Sequence, residues 1–209
     1  MVLQQNKSMA TNRSPGRLSA DERAARIYQV AAKLICEQGY DATSMNEIAE
    51  SVNLTKAGLY YYVPGKKQLL YAIVSYAMAA IETEVIEPCR LLGDPAERLR
   101  EIVRRHTLLL TQVGSGITIL TAEVRGLSPA HRRTMKAKKR AYLEFVRETL
   151  DALKRQRKLR SKNVGLVSMN LFSTILGVAR WYRPEGKESG EIVAEEVTDF
   201  VMAGVLKSS

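Results

Sequence analysis

Between residues 43 and 66 the chain gathers side chains suited to holding another molecule's phosphates and polar edges. They are the hydroxyls of Thr43, Ser44 and Thr55, the amide of Asn46, the cations of Lys56 and Lys66, and the phenols of Tyr60 and Tyr61. Ala57 and Gly58 stand beside Lys56 and are small enough to let a backbone approach closely. No Ser/His/Asp or Cys/His arrangement accompanies them, so the chemistry on offer is recognition rather than nucleophilic attack. Donors and cations of this kind suit base edges and phosphates.

The elements that must position these residues are two short helices. Ser44 followed by Glu47 forms a capping box and starts the first. Ile48, Ala49 and Val52 then recur at helical spacing, and Asn53 suits the left-handed turn that ends it. Thr55 caps the second helix, Leu59 and Val63 face inward, and Pro64-Gly65 stops it. Gly58 costs about 1 kcal/mol of helix propensity relative to alanine, which is understandable where backbone lies against another surface. The spacing predicts a helix-turn-helix, and it also suits an ordinary helical hairpin. Tyr62 reads as core filler, Tyr60 as half filler and half contact.

These residues resemble the TetR/AcrR family of bacterial transcriptional regulators. The likeness runs from Arg23 to about Leu70, about a quarter of the chain, through Arg26 to Ile35, Gly39-Tyr40, Thr43-Ser44, Glu47-Ile48-Ala49, Leu54 to Tyr62 and Lys66 to Leu70. Val63 and Gly58 depart from the family pattern, the second removing a hydroxyl that other members offer to DNA. The resemblance implies an all-α fold of about nine helices: an N-terminal three-helix helix-turn-helix DNA-binding domain and a C-terminal helical effector-binding and dimerisation domain. It also implies a double-stranded DNA operator, a homodimer, and a cytoplasmic bacterial protein on the nucleoid when bound. Thr43 and Ser44 would hold phosphate, and Thr55, Lys56, Ala57 and Gly58 would lie nearest the bases. Tyr60, Tyr61 and Lys66 would grip the backbone, with Asn46 as a further contact. The expected division is an arm over 1–19, the reading head over 20–66 and the body over 67–209.

Composition narrows the classes. Cys36 and Cys89 lack ligand-spaced histidines, His106 and His131 stand alone, and no dinucleotide or phosphate-loop fingerprint occurs, so neither a metal nor a cofactor is expected and enzyme is a poor fit. The first 19 residues are polar and lack an apolar signal region. No run of about 18 apolar residues suggests a membrane span.

The formal net charge is +10, but it is unevenly placed. Residues 132–162 hold 13 Lys or Arg against 3 acids, leaving the rest neutral, and residues 1–66 hold 8 against 6. The reading head must therefore bind through a few aimed contacts and dimeric avidity. The basic stretch is patterned as a long helix with Met135, Tyr142, Leu143, Val146, Leu150 and Leu153 on one face. Its charged face suits solvent, or an anionic effector whose phosphates need cations at a pocket mouth; a second DNA contact is awkward, because in the resembled family the heads lie at the far end of the body.

After Lys66 helical patterns cover about 67–87, broken by Pro88, then 95–113, 117–125, 128–157, 162–182 and 188–206. The last two are apolar nearly all round and are expected to form a two-fold interface through Leu171, Ile175, Gly177, Val178, Val197, Phe200, Val201 and Gly204. Arg180 to Pro184 looks like a signature of members that control lipid or steroid catabolism and answer to acyl-CoA thioesters. The expected effector residues are Arg104, Arg105, Glu123, Arg125, Lys139, Arg140, Arg180 and Trp181. Alternatives are the same fold sensing lipophilic drugs, or a helical lipid-binding protein of the membrane surface.

Overall fold

The computed structural model describes residues 19–113 and 126–207; the helix expected at 117–125 and the arm up to residue 18 lie outside them. Helix α1 (Ala20–Gln38) opens on a Ser19/Glu22 capping box and buries Ile27, Ala31, Ala32 and Ile35 at helical spacing. Gly39, at φ +92°, ends it. Helices α2 (Met45–Ser51) and α3 (Lys56–Tyr62) follow, and Asn53 takes the left-handed turn between them at φ +55°.

Helix α4 (Lys66–Ala80) passes without interruption into a π-helical segment (Ile81–Ile86) and then α5 (Glu87–Arg90). The expected break at Pro88 does not occur. A proline ring clashes with the carbonyl four residues earlier and cannot donate to it, and the widened π turns ahead of Pro88 take up that conflict. The result is one rod of 25 residues, about 37 Å long, joining head to body.

The body comprises α6 (Pro95–Val113), α7 (Pro129–Arg155), α8 (Val164–Trp181) and α9 (Gly190–Val205). Among the described residues there is no strand, only an isolated antiparallel bridge of Leu159 with Leu206 that pins the end of α9. Helix α6 lies at the centre. It meets α9 closely at Gly190, where a Cβ would stand 2.3 Å from Thr111 Oγ1. Helix α7 buries the expected stripe with Phe145 and Thr149 added, whereas Leu143 is only half-buried.

Two cores result. The head's core holds Ile27, Ile48, Leu59, Leu69 and Ile73, and it also draws in Leu127 and Met135 from the far side of α6 in sequence. The body's core gathers Val85, Ile102, Val146, Leu150, Leu171 and Ile175.

Helices α8 and α9 correct part of the interface expectation. Leu171, Ile175, Val178 and Val201 turn into the protomer's own core, and Gly177 and Val197 are half-buried. Phe200, 71% exposed, and Gly204 do face outward, with Leu166, Met169 and Leu176 exposed on α8. A helix apolar all round gives no period by which to tell the inner face from the outer one. By length and composition alone α8 and the head-to-body rod are long and apolar enough to cross a membrane, but neither is an unbroken apolar run and both bury residues in the protein's own cores.

Inside the body, Tyr142 Oη lies 3.1 Å from His106 Nδ1, and the Phe172 ring stands edge-on to both. His106 is therefore a buried core residue. Burial pushes its imidazole down to about 4 and raises the Tyr142 phenol. Below about pH 6.5 the unfolded chain takes a proton that the folded chain refuses until about 4, so this contribution is complete above that window and is lost as pH falls through it. In urea titrations, wild type should lose stability relative to His106→Gln by up to about 1.4 kcal/mol per pH unit between those limits. Parallel curves would contradict the assignment.

Candidate nucleic-acid interface

The start of α2 is built as the capping rule requires. Ser44 Oγ accepts the Glu47 N–H at 3.1 Å, and Glu47 Oε2 accepts the Ser44 N–H at 3.5 Å. Gln38 Nε2 donates to the other Glu47 oxygen at 2.6 Å, tying the end of α1 to the same box. Thr43 is corrected: it is buried, and its hydroxyl donates to the Gly39 carbonyl at 2.9 Å. Gly39's positive φ brings that carbonyl within reach, so Thr43 braces the α1–α2 turn rather than facing outward. Ser44 and Asn46 are exposed beside it.

Thr55 Oγ1 accepts the Gly58 N–H at 3.0 Å, and a Cβ on Gly58 would lie 3.2 Å from that oxygen. The glycine thus leaves the cap of α3 undisturbed while keeping its outer surface flat. Lys56, Ala57 and Tyr60 are exposed, and Tyr61 is 86% exposed, held edge-on to Tyr62 with ring centroids 5.4 Å apart. Leu59 and Val63 are buried beneath them as expected. Lys66 Nζ donates to the Asp41 carbonyl at 3.2 Å and lies 4.5 Å from the Tyr40 ring centroid. That fixes the first turn of α4 against the α1–α2 turn and places a cation at its edge. Thr55, Lys56, Ala57, Tyr60 and Tyr61 are brought onto one helix and its cap, and α2's first turn lies alongside.

A second site lies in the body. A cleft of about 320 Å³ opens between the π segment and α6, lined by Thr83, Glu84, Pro88, Arg104, Arg105, Leu108, Leu109 and Gln112. Glu101 holds both arginines: Arg104 by two bonds of 2.8 and 2.9 Å, Arg105 by one of 2.8 Å. The Arg104 hydrogen bond, ahead of the other effects, keeps the Glu101 carboxyl below its ordinary range. Arg105 Nη1 also approaches the Glu84 carbonyl, four residues before Pro88, at 3.5 Å. Polar cations and the apolar Leu108 and Leu109 therefore border one opening, and its wall is the π segment of the rod.

Comparison with known proteins decides the class. Residues 92–205 match the family described as tetracyclin repressor-like, C-terminal domain, and residues 27–73 match that of bacterial regulatory proteins, tetR family. The chain belongs to the TetR family. It is similar to the HTH-type transcriptional activator FasR of Mycolicibacterium smegmatis, at 23% identity over 93% of this chain and 88% of that protein. The HTH-type transcriptional repressor KstR2 of Rhodococcus jostii is 24% identical over 88% of this chain and 91% of that protein. Among solved structures, AibR in complex with isovaleryl coenzyme A and operator DNA superposes with TM-score 0.73 at 33% identity, covering 86% of this chain and 97% of that one.

This TetR-family chain is a DNA-binding transcriptional regulator and not an enzyme. Of its expected effector residues, Arg104 and Arg105 line the cleft; Lys139, Arg140, Arg180 and Trp181 do not. Lys139 is half-buried on α7, Arg140 is exposed, and Arg180 and Trp181 are exposed at the end of α8. Glu123 and Arg125 lie outside the described residues. Sequence reasoning missed Glu101, Glu84 and Thr83; the spacing of Glu101 from Arg104 and Arg105, three and four residues, was the available signal for the first. Because Tyr61 is exposed, Tyr61→Ala should leave the melting temperature within about 2 °C of wild type while abolishing the sequence-selective gel shift. A variant that shifts operator DNA normally would remove Tyr61 from the interface.

Proposed function

We propose that the protein is a homodimeric repressor released from its operator by an acyl-CoA thioester or a similar lipid-like anion. The observation that carries this reading is the Arg104–Arg105 cleft on the wall of the rod that leads to the reading head. A thioester of coenzyme A combines a polyanion with an apolar tail, and this opening sets two guanidiniums beside Leu108 and Leu109. The AibR complex, which holds both isovaleryl coenzyme A and operator DNA, supports it. A lipophilic cation fits worse, since the same arginines would repel it.

In this account Ser44, Asn46, Thr55, Lys56, Ala57, Gly58, Tyr60, Tyr61 and Lys66 meet DNA, within a head over 20–66 that follows an arm over 1–19 and precedes a body over 67–209. The exposed Phe200, Leu166, Met169 and Leu176, with Gly204 and the half-buried Gly177, form the two-fold contact of two copies, which sets the heads one helical turn apart on the operator. Effector phosphates compete with Glu101 and the Glu84 carbonyl for Arg104 and Arg105, loosening the hold of α6 on the π segment. That segment continues into α4, so the release reaches Lys66 and the head. By reciprocity the effector binds the DNA-free form more tightly. The protein acts in the cytoplasm, on the nucleoid when bound.

Acyl-CoA thioesters at about a hundredfold excess over Kd should stabilise the protein by about 2.7 kcal/mol and dissociate its operator complex. Arg104→Ala with Arg105→Ala should weaken both effects by about tenfold or more. Free acids or cationic drugs acting where thioesters do not would contradict the proposal.

A further inference from the structure

The basic half of α7 does not line the cleft, and its position in the fold is unlike the one its sequence suggested. Arg133, Lys136 and Arg140, spaced by three and four residues, form one exposed stripe. Among the described residues no ion pair engages any of the three; the nearest acid of α7, Glu144, is taken by Arg147. A helix keeping like charges four residues apart with no acid between them forgoes local stability, so an anion from elsewhere is the natural counterpart.

The stripe begins at the head. His131 stacks on Tyr71 of α4 with centroids 3.7 Å apart and rings within 10° of parallel, and Met135 is buried in the head's core with Leu127. Gly126 abuts Leu70 and Tyr40. Tyr71 stands five residues, about 7.5 Å of helix rise, from Lys66, which rests on the α1–α2 turn where the reading surface starts. From there α7 climbs away, until Tyr142 lies in the body's core.

The head itself offers DNA little general attraction: over residues 19–66 it carries five basic side chains, Arg23, Arg26, Lys33, Lys56 and Lys66, against six acidic ones. Binding a polyanion draws on counterion release at cationic contacts. We propose that the Arg133–Lys136–Arg140 stripe is a second DNA contact, meeting phosphates that flank the half-site read by α3. Its effect falls from Arg133 to Arg140 as the helix rises.

The inference rests on operator binding by the head, and the test separates the two. Full-length protein is titrated by fluorescence anisotropy, across a salt series, onto two duplexes bearing its footprinted operator. One duplex is trimmed to the two half-sites, and the other carries about ten more base pairs on each side. Wild type should bind the longer duplex more tightly at low salt and with a steeper salt slope. Arg133→Gln with Lys136→Gln should erase that difference, lowering the slope by about 0.9 for each phosphate left without its cation, with Arg140→Gln doing less. A double variant that keeps the wild-type slope and flank preference overturns the proposal. So does a wild type indifferent to flank length, or a variant impaired only in release by an acyl-CoA thioester. In each of those cases an intact complex on the trimmed duplex leaves the head's role standing; no sequence-selective complex at all removes both.

Discussion

The two halves of this molecule are joined by one helical rod buried at both ends, with the start of α7 packed beside it. Leu69, Leu70, Ile73 and Val74 of α4 belong to the head's core, while Val85, Ile86 and Cys89 belong to the body's. Because both ends are packed, neither half can move without moving the rod or deforming it. The place where deformation is easiest is the π segment, whose hydrogen bonding is already off the α register and whose outer side forms a wall of the Arg104–Arg105 cleft. The head's core, the π segment and one wall of the cleft thus follow one another along a single element.

Charge follows the same logic. The head carries nearly balanced charge, so in the proposed reading its selectivity rests on the geometry of α3: a threonine cap undisturbed by Gly58, a small flat patch at Ala57, and exposed phenols beside Lys56. Two groups of the body's cations stand in contrasting settings. Arg104 and Arg105 share the single carboxylate of Glu101 at the edge of the cleft, whereas the outer stripe of α7 has no such partner among the described residues and stands where the rod enters the head.

How much of this the sequence disclosed depends on the range of the interactions involved. The capping box at Ser44, the cap at Thr55, the left-handed Asn53 and the inward Leu59 and Val63 rest on residues a few positions apart, and all were legible. Thr43 was misread because its orientation depends on Gly39's backbone, and the continuity through Pro88 because the π turns form only in packed surroundings. The inner and outer faces of α8 and α9 were not separable, since both faces are apolar. The proximity of the basic run to the head was hidden, because Met135 and Leu127 reach the head's core only through the tertiary path of the chain.

The claim that most needs direct measurement is that an effector in the body changes the placement of two heads through this rod. Pulsed electron spin resonance on full-length protein labelled at Glu50→Cys, in a Cys36→Ser background, reads the distance between the heads of a dimer. The account predicts one narrow distribution on operator DNA and a displaced, broader one after an acyl-CoA thioester is added. No inter-protomer distance, or an unchanged distribution while the operator is nevertheless released, would contradict it.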